Sequence, residues 1–185
     1  MRKGVVFLTG CLLFMTLLTP VIAQPTEHIT PKTAFFNGVG SCDQALASFI
    51  FHGGKTPSTR LKDGFWHGSG TWVDADWSEG VLVADFTVST NGGDIILDDL
   101  PGHITYVWFL YGQAKVYIDG QFIGTYLFTL NFADGTYVNP PGQAGQSDWV
   151  AFSLYESTTN WPNGPFYYQT GNVIVTGHIL SRFTT

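Results

Sequence analysis

Cysteine is nearly absent from this 185-residue chain, which has only Cys11 and Cys42. Cys11 lies in an N-terminal apolar segment, so the rest of the chain holds one thiol and no internal disulfide can stabilise it. Charge is also scarce, at 12% of residues with a net of −6, and no run of basic residues occurs. Such a surface repels phosphate backbones and anionic lipid heads, which sets nucleic acid and membrane surfaces aside as partners. The chain has no His-Glu-x-x-His and no Cys-x-x-Cys, so the common zinc-protease and dithiol-redox motifs are missing. Beyond residue 23 glutamate is limited to Glu27, Glu79 and Glu156, which weakens the case for a two-carboxylate glycosidase.

Two partial motifs fail on spacing. Gly53-Gly54-Lys55-Thr56 has the tail of a phosphate-binding loop, but Phe49 stands where the leading glycine belongs, so it reads as a turn. In Trp66-His67-Gly68-Ser69-Gly70 the glycine needed two positions before the serine is His67, which excludes a nucleophile elbow.

The N-terminus is distinctive. Arg2 and Lys3 precede an apolar run from Val5 to Leu18, and Val21-Ile22-Ala23 supplies a small residue at a cleavage site. Residues 1–23 therefore read as a signal peptide, with a mature start near Gln24 and a secreted or periplasmic location. The run is interrupted by Thr9, Gly10 and Thr16 and is shorter than the roughly 20 apolar residues of a membrane span, so stable membrane insertion is not expected. Leu8-Thr9-Gly10-Cys11 has the form of a lipobox, yet lipidation there would leave Leu12 to Leu18 as an apolar tail, and cleavage after Ala23 is the preferred reading.

The chain beyond Ala23 is sized for one domain. Residues 24–62 read as an N-terminal segment with one short helix, about Cys42 to His52. Ser41 and Gln44 form a capping box, Ala45, Leu46, Phe49 and Ile50 share a helical face, and Gly53-Gly54 ends the pattern. Residues 63–185 read as an antiparallel β domain, with strands at Phe65–Val73, Gly80–Thr90, Asp94–Leu97, His103–Tyr111, Ala114–Asp119, Gln121–Phe132, Trp149–Glu156, Phe166–Gln169 and Asn172–Phe183. Asp119-Gly120 is the strongest turn signal, since a type I′ hairpin needs positive φ at both central residues; Asn91-Gly92-Gly93 and Asn163-Gly164 are further turns. The expected fold is an all-β, jelly-roll-like antiparallel β-sandwich, and the alternative is a closed up-and-down β-barrel.

Two resemblances bear on that choice. Lys115-Val116-Tyr117-Ile118-Asp119-Gly120-Gln121-Phe122-Ile123-Gly124-Thr125 resembles the "vYvDGxxvGT" hairpin of jelly-roll carbohydrate-binding and laminin-G-like domains, which would imply a sandwich. Gly64-Phe65-Trp66 with Arg182 near the C-terminus is similar to the Gly-x-Trp and distant Arg pair of lipocalin-like proteins, which would imply a barrel closed by that pair.

For function, the aromatic residues are the main asset, at 16% of the chain. Trp77 and Trp161 lie in turns, where an exposed ring needs a purpose, and with Tyr167 and Tyr168 they are the candidate ligand-binding residues. No catalytic residue, metal ligand or cofactor is assigned. Asp74-Ala75-Asp76 and Asp94 with Asp98-Asp99 lack the spacing of a calcium loop and read as solvated turn acids, and Cys42 reads as a packed, inert thiol. The first expectation is a secreted non-catalytic module for a neutral glycan or other carbohydrate polymer. A carrier of a small apolar molecule in a barrel lumen is the second. A hydrolase assembled from Asp85, Glu156, His67, His103 and His178 is the third, although Asp85 is expected to point outward or to pair with Arg182.

Overall fold

A computed structural model describes residues 27–42, 47–56, 65–100, 103–139, 148–156 and 165–185. The signal segment, Trp161 and the Asn163-Gly164 turn lie outside the described residues. Among the described residues there are nine strands: β1 (Glu27–Ile29), β2 (Thr33–Cys42), β3 (Ala47–Thr56), β4 (Phe65–Asp74), β5 (Leu82–Leu100), β6 (His103–Ile118), β7 (Gln121–Asn139), β8 (Trp149–Tyr155) and β9 (Phe166–Thr184). They form one curled antiparallel sheet, in which consecutive strands from β2 to β9 pair with one another. β2 also pairs with β9, and β1 adds to the far half of β5.

The helix expected over residues 42–52 does not form. Cys42 ends β2, and Ala47–Thr56 is a strand with Ala47, Phe49 and Phe51 buried and Ser48, Ile50 and His52 exposed. Phe49 and Ile50 fit a helical face and a strand equally well, and the partners on both sides decide the matter: β3 has a ten-residue register with β4 and an eight-residue register with β2. Gly53-Gly54-Lys55-Thr56, expected as a turn, continues the same strand. β2 and β3 thus belong to the sheet that residues 65–185 continue, between β9 and β4.

The strands are longer than the turn signals imply. Asn91-Gly92-Gly93 falls inside β5, where it appears as a register shift against β6 between Val88 and Gly93 instead of a chain reversal. Such an irregularity lets β5 change direction, so that it leaves β4 after Val88 and receives β1 at Ile95 to Leu97. The hairpin at Asp119-Gly120 forms as expected, with φ of +48° and +79° and Ile118 facing Gln121.

Inward-facing residues fill the interior with rings. Phe36, Phe51, Trp72, Trp108, Phe128, Phe132 and Phe152 are completely or almost completely buried. Trp72 stacks between Phe49 at 5.7 Å and Phe152 at 5.2 Å, and Trp108 stacks on Phe132 at 5.5 Å. Room for Phe36 comes from two glycines facing it on adjacent strands, since a Cβ on Gly53 or on Gly68 would overlap its ring. Aspartates tie the sheet together where side chains must replace ladder bonds. Asp148 accepts from the amides of Gly135 (2.7 Å) and Ile179 (2.6 Å), and Asp134 accepts from the Ser181 amide (2.8 Å), so β7 is fastened to β9.

Candidate functional site

Trp77, Tyr167 and Tyr168 come together at one end of the sheet, while Trp161 lies outside the described residues. The reason Tyr167 and Tyr168 act jointly is a bulge: Leu154 of β8 faces Tyr168 and Tyr155 faces Phe166, which leaves Tyr167 unpaired. Trp77, from the β4–β5 connection, sits edge-on to Tyr167 at 5.4 Å and to Tyr168 at 5.8 Å, and Tyr167 stacks on Tyr126 of β7 at 4.6 Å.

Tyr168 is not the surface ring it was expected to be. It is 5% exposed, and its hydroxyl accepts from Trp72 Nε1 (2.9 Å) and donates to Asp74 Oδ2 (2.8 Å). Burial pushes its phenol well above the usual tyrosine range; the Trp72 N–H opposes that shift and the Asp74 carboxylate adds to it. Asp74 is itself buried and uses its other oxygen to hold the Asp76 amide at 3.0 Å, so it is a structural acid and not a solvated one. Tyr167 is also raised, by burial first and then by Tyr126 and Glu79. Trp77, Tyr126 and Tyr167 therefore spend much of their ring surface on one another, closing the end of the core.

Arg182 faces outward and is exposed, so it does not meet Trp66. The cation near that indole is Lys55, only 4% exposed, with Nζ 5.6 Å from the ring. Of the residues considered for a hydrolase, Asp85 does point outward, as expected. Its cross-strand neighbours are Thr71 and Lys115 and none of the histidines, and Thr71 Oγ1 donates to its Oδ1 at 2.8 Å. Cys42 is free and buried, and burial pushes its thiol up to about 11, as an unreactive group requires.

The outer face carries a feature that the sequence did not reveal. Register places His52, Ser69, Thr87 and Gln113 side by side on β3, β4, β5 and β6. A second row, two residues along, holds Ile50, Thr71, Asp85, Lys115 and Thr125, ending on β7. Together with Tyr117, these rows line an open groove of about 660 Å³. Its polar lining consists of hydroxyl, amide and imidazole groups with the Asp85 carboxylate across from the Lys115 ammonium, and Ile50, Phe86 and Ala114 contribute apolar surface between them. Apart from Ile50, each of the side chains in the two rows is an ordinary outward polar residue in its own strand. Only the registers align them, and registers are set by long-range pairing.

No protein-family model, no curated protein and no solved structure matches this chain.

Proposed function

We propose that the protein is a secreted, non-catalytic binding module that holds a neutral glycan in the groove on the outer face of the sheet. The observation that carries this reading is the pair of register-aligned rows, in which hydroxyl, amide and imidazole groups from four consecutive strands face one open trough. Sugars offer many hydroxyls and no net charge, so they match a lining whose Asp85 and Lys115 offset each other. Tyr117, its ring packed against that of Phe122 at 5.5 Å, borders the groove with a phenol hydroxyl and part of a ring. The expected platform of Trp77, Tyr167 and Tyr168 is a weaker candidate, because Tyr168 is buried and the other two rings are already partnered.

The fold reading that goes with this is a closed up-and-down barrel of β2 to β9. It is supported by the two partners that each of these strands has and by the adjacency of consecutive strands. A carrier needs an empty lumen, and the interior rings lie 4.9 to 6.4 Å from their neighbours, at contact distance. That favours an outside site over an inside one.

The test is retention on immobilised neutral polysaccharides, with calorimetry on whichever binds. Thr87→Ala combined with Gln113→Ala should weaken binding about tenfold or more, at roughly 1 kcal/mol per lost hydrogen bond, while the melting temperature moves by no more than a few degrees. Unaltered retention in the double variant would place the site elsewhere.

A further inference from the structure

Resting on the glycan reading, we infer that the occupant of the outer groove is a single extended chain of flat-ribbon type, one whose hydroxyls project along its edges and whose ring faces are C–H surfaces, lying across the strands along the two rows.

Shape comes first. From β3 to β7 the second row takes four steps between neighbouring strands, roughly 19 Å at about 4.8 Å a step, and the rows are two residues or about 6.7 Å apart. The lining thus reaches across five strands, from Ile50 on β3 to Thr125 on β7, a span that suits an extended chain more than a compact ligand.

Polarity is then arranged across the trough. His52, Ser69, Thr87 and Gln113 make a continuous hydrogen-bonding edge, which suits a ligand that presents hydroxyls at regular intervals in a line. A coiled, α-linked chain turns its hydroxyls away from any one line within such a length. At the β3 end the second row is apolar: Ile50 is 56% exposed, and Val39, directly across from it on β2, continues the surface. An exposed isoleucine beside a polar trough gains by covering a C–H face. Asp85 and Lys115 are cross-strand neighbours of opposite sign, so a chain with a charge on every unit is attracted by one and repelled by the other along its length. Neutral units avoid that conflict.

The experiment is a calorimetric titration of the full chain with neutral β-1,4-linked gluco- and manno-oligosaccharides of about two to six units, alongside α-1,4-linked oligomers of matched length. Affinity should climb by about tenfold or more with length and level off once the oligomer spans the trough. The α-linked series should bind at least about tenfold more weakly. Ile50→Ser should reduce binding of the longest β-linked oligomers several-fold. Equal affinity for α- and β-linked oligomers, or a plateau already at the disaccharide, overturns the ribbon inference and leaves the glycan groove standing. If no saccharide binds in either series, the glycan reading itself fails, and the inference fails with it.

Discussion

Asp119 and Gly120 show how much structure two residues can specify. Both have positive φ, and an added Cβ at Gly120 would meet nothing within 4 Å, so any cost of substitution there is conformational alone. Gly120→Val should destabilise by about 1–2 kcal/mol or more in urea unfolding, because a β-branched residue resists that region. Asp119 has a second role, since its Oδ1 accepts the Val81 amide at 2.9 Å and its own amide donates to the Val81 carbonyl at 3.0 Å. Asp119→Ala should cost about 1 kcal/mol more than Asp119→Asn, which keeps an acceptor in place. Cys42 gives a pH signature. Below about pH 9 the thiol is protonated in the folded and unfolded chains alike; above it only the unfolded chain loses the proton, because the folded thiol holds on up to about 11. Stability should fall over that window, by about 2 kcal/mol between pH 8 and pH 10.5 from this group, and Cys42→Ala should remove that portion of the slope in paired urea titrations. The turn and the inert thiol were legible in the sequence because each depends on neighbours in the chain and on residue type. Tyr168 was not: a tyrosine so soon after Pro165 looks exposed until the bulge in β9 turns it onto Trp72 and Asp74.

At the level of elements, the Trp72–Tyr168–Asp74 chain fastens β9 to β4 across the core. Tyr168→Phe leaves the indole N–H and a carboxylate oxygen of Asp74 without their partner in a buried place, so it should cost about 2–4 kcal/mol, more than a lost surface hydroxyl would. Thermal unfolding with Thr129→Val as a comparison would separate this network from the loss of any buried hydroxyl. Close approach sets another limit. Gly70 lies against Phe86 and Phe51, and Gly70→Ala should cost about 1–3 kcal/mol through overpacking. Strand content from Phe65 onward was readable from the period of two, and its boundaries at Phe65, Gln121, Trp149 and Phe166 coincide with those observed. β3 was misread for a physical reason: Gly53, taken with Gly54 as a helix stop, is part of the space that Phe36 occupies, and Gly54 lies against the backbone of Ala34 on β2. The groove was invisible at this level, since no single strand contains it.

At the scale of the whole molecule, the sheet is held by pairings that span very different distances. Most join consecutive strands, yet Thr33 faces Thr184, with their hydroxyls 2.7 Å apart, and the Lys32 amide donates to the Thr184 carbonyl at 2.8 Å. All-β composition was evident from the sequence, but the register that joins β2 to β9 had no local trace. The proposed binding groove inherits this dependence, because its rows exist only while β3 to β7 keep their mutual register. The β2–β9 pairing also has a consequence for how the molecule is made. During synthesis β2 appears early and β9 late, and until Phe166–Thr184 is in place both β2 and β8 offer a full row of unpaired amides and carbonyls to any passing chain. Refolding should accordingly be slow for a domain of this size, on the millisecond-to-second scale of non-local β proteins, and its yield should fall as protein concentration rises. A nascent copy is thus most vulnerable to pairing with another copy just before its final strand arrives.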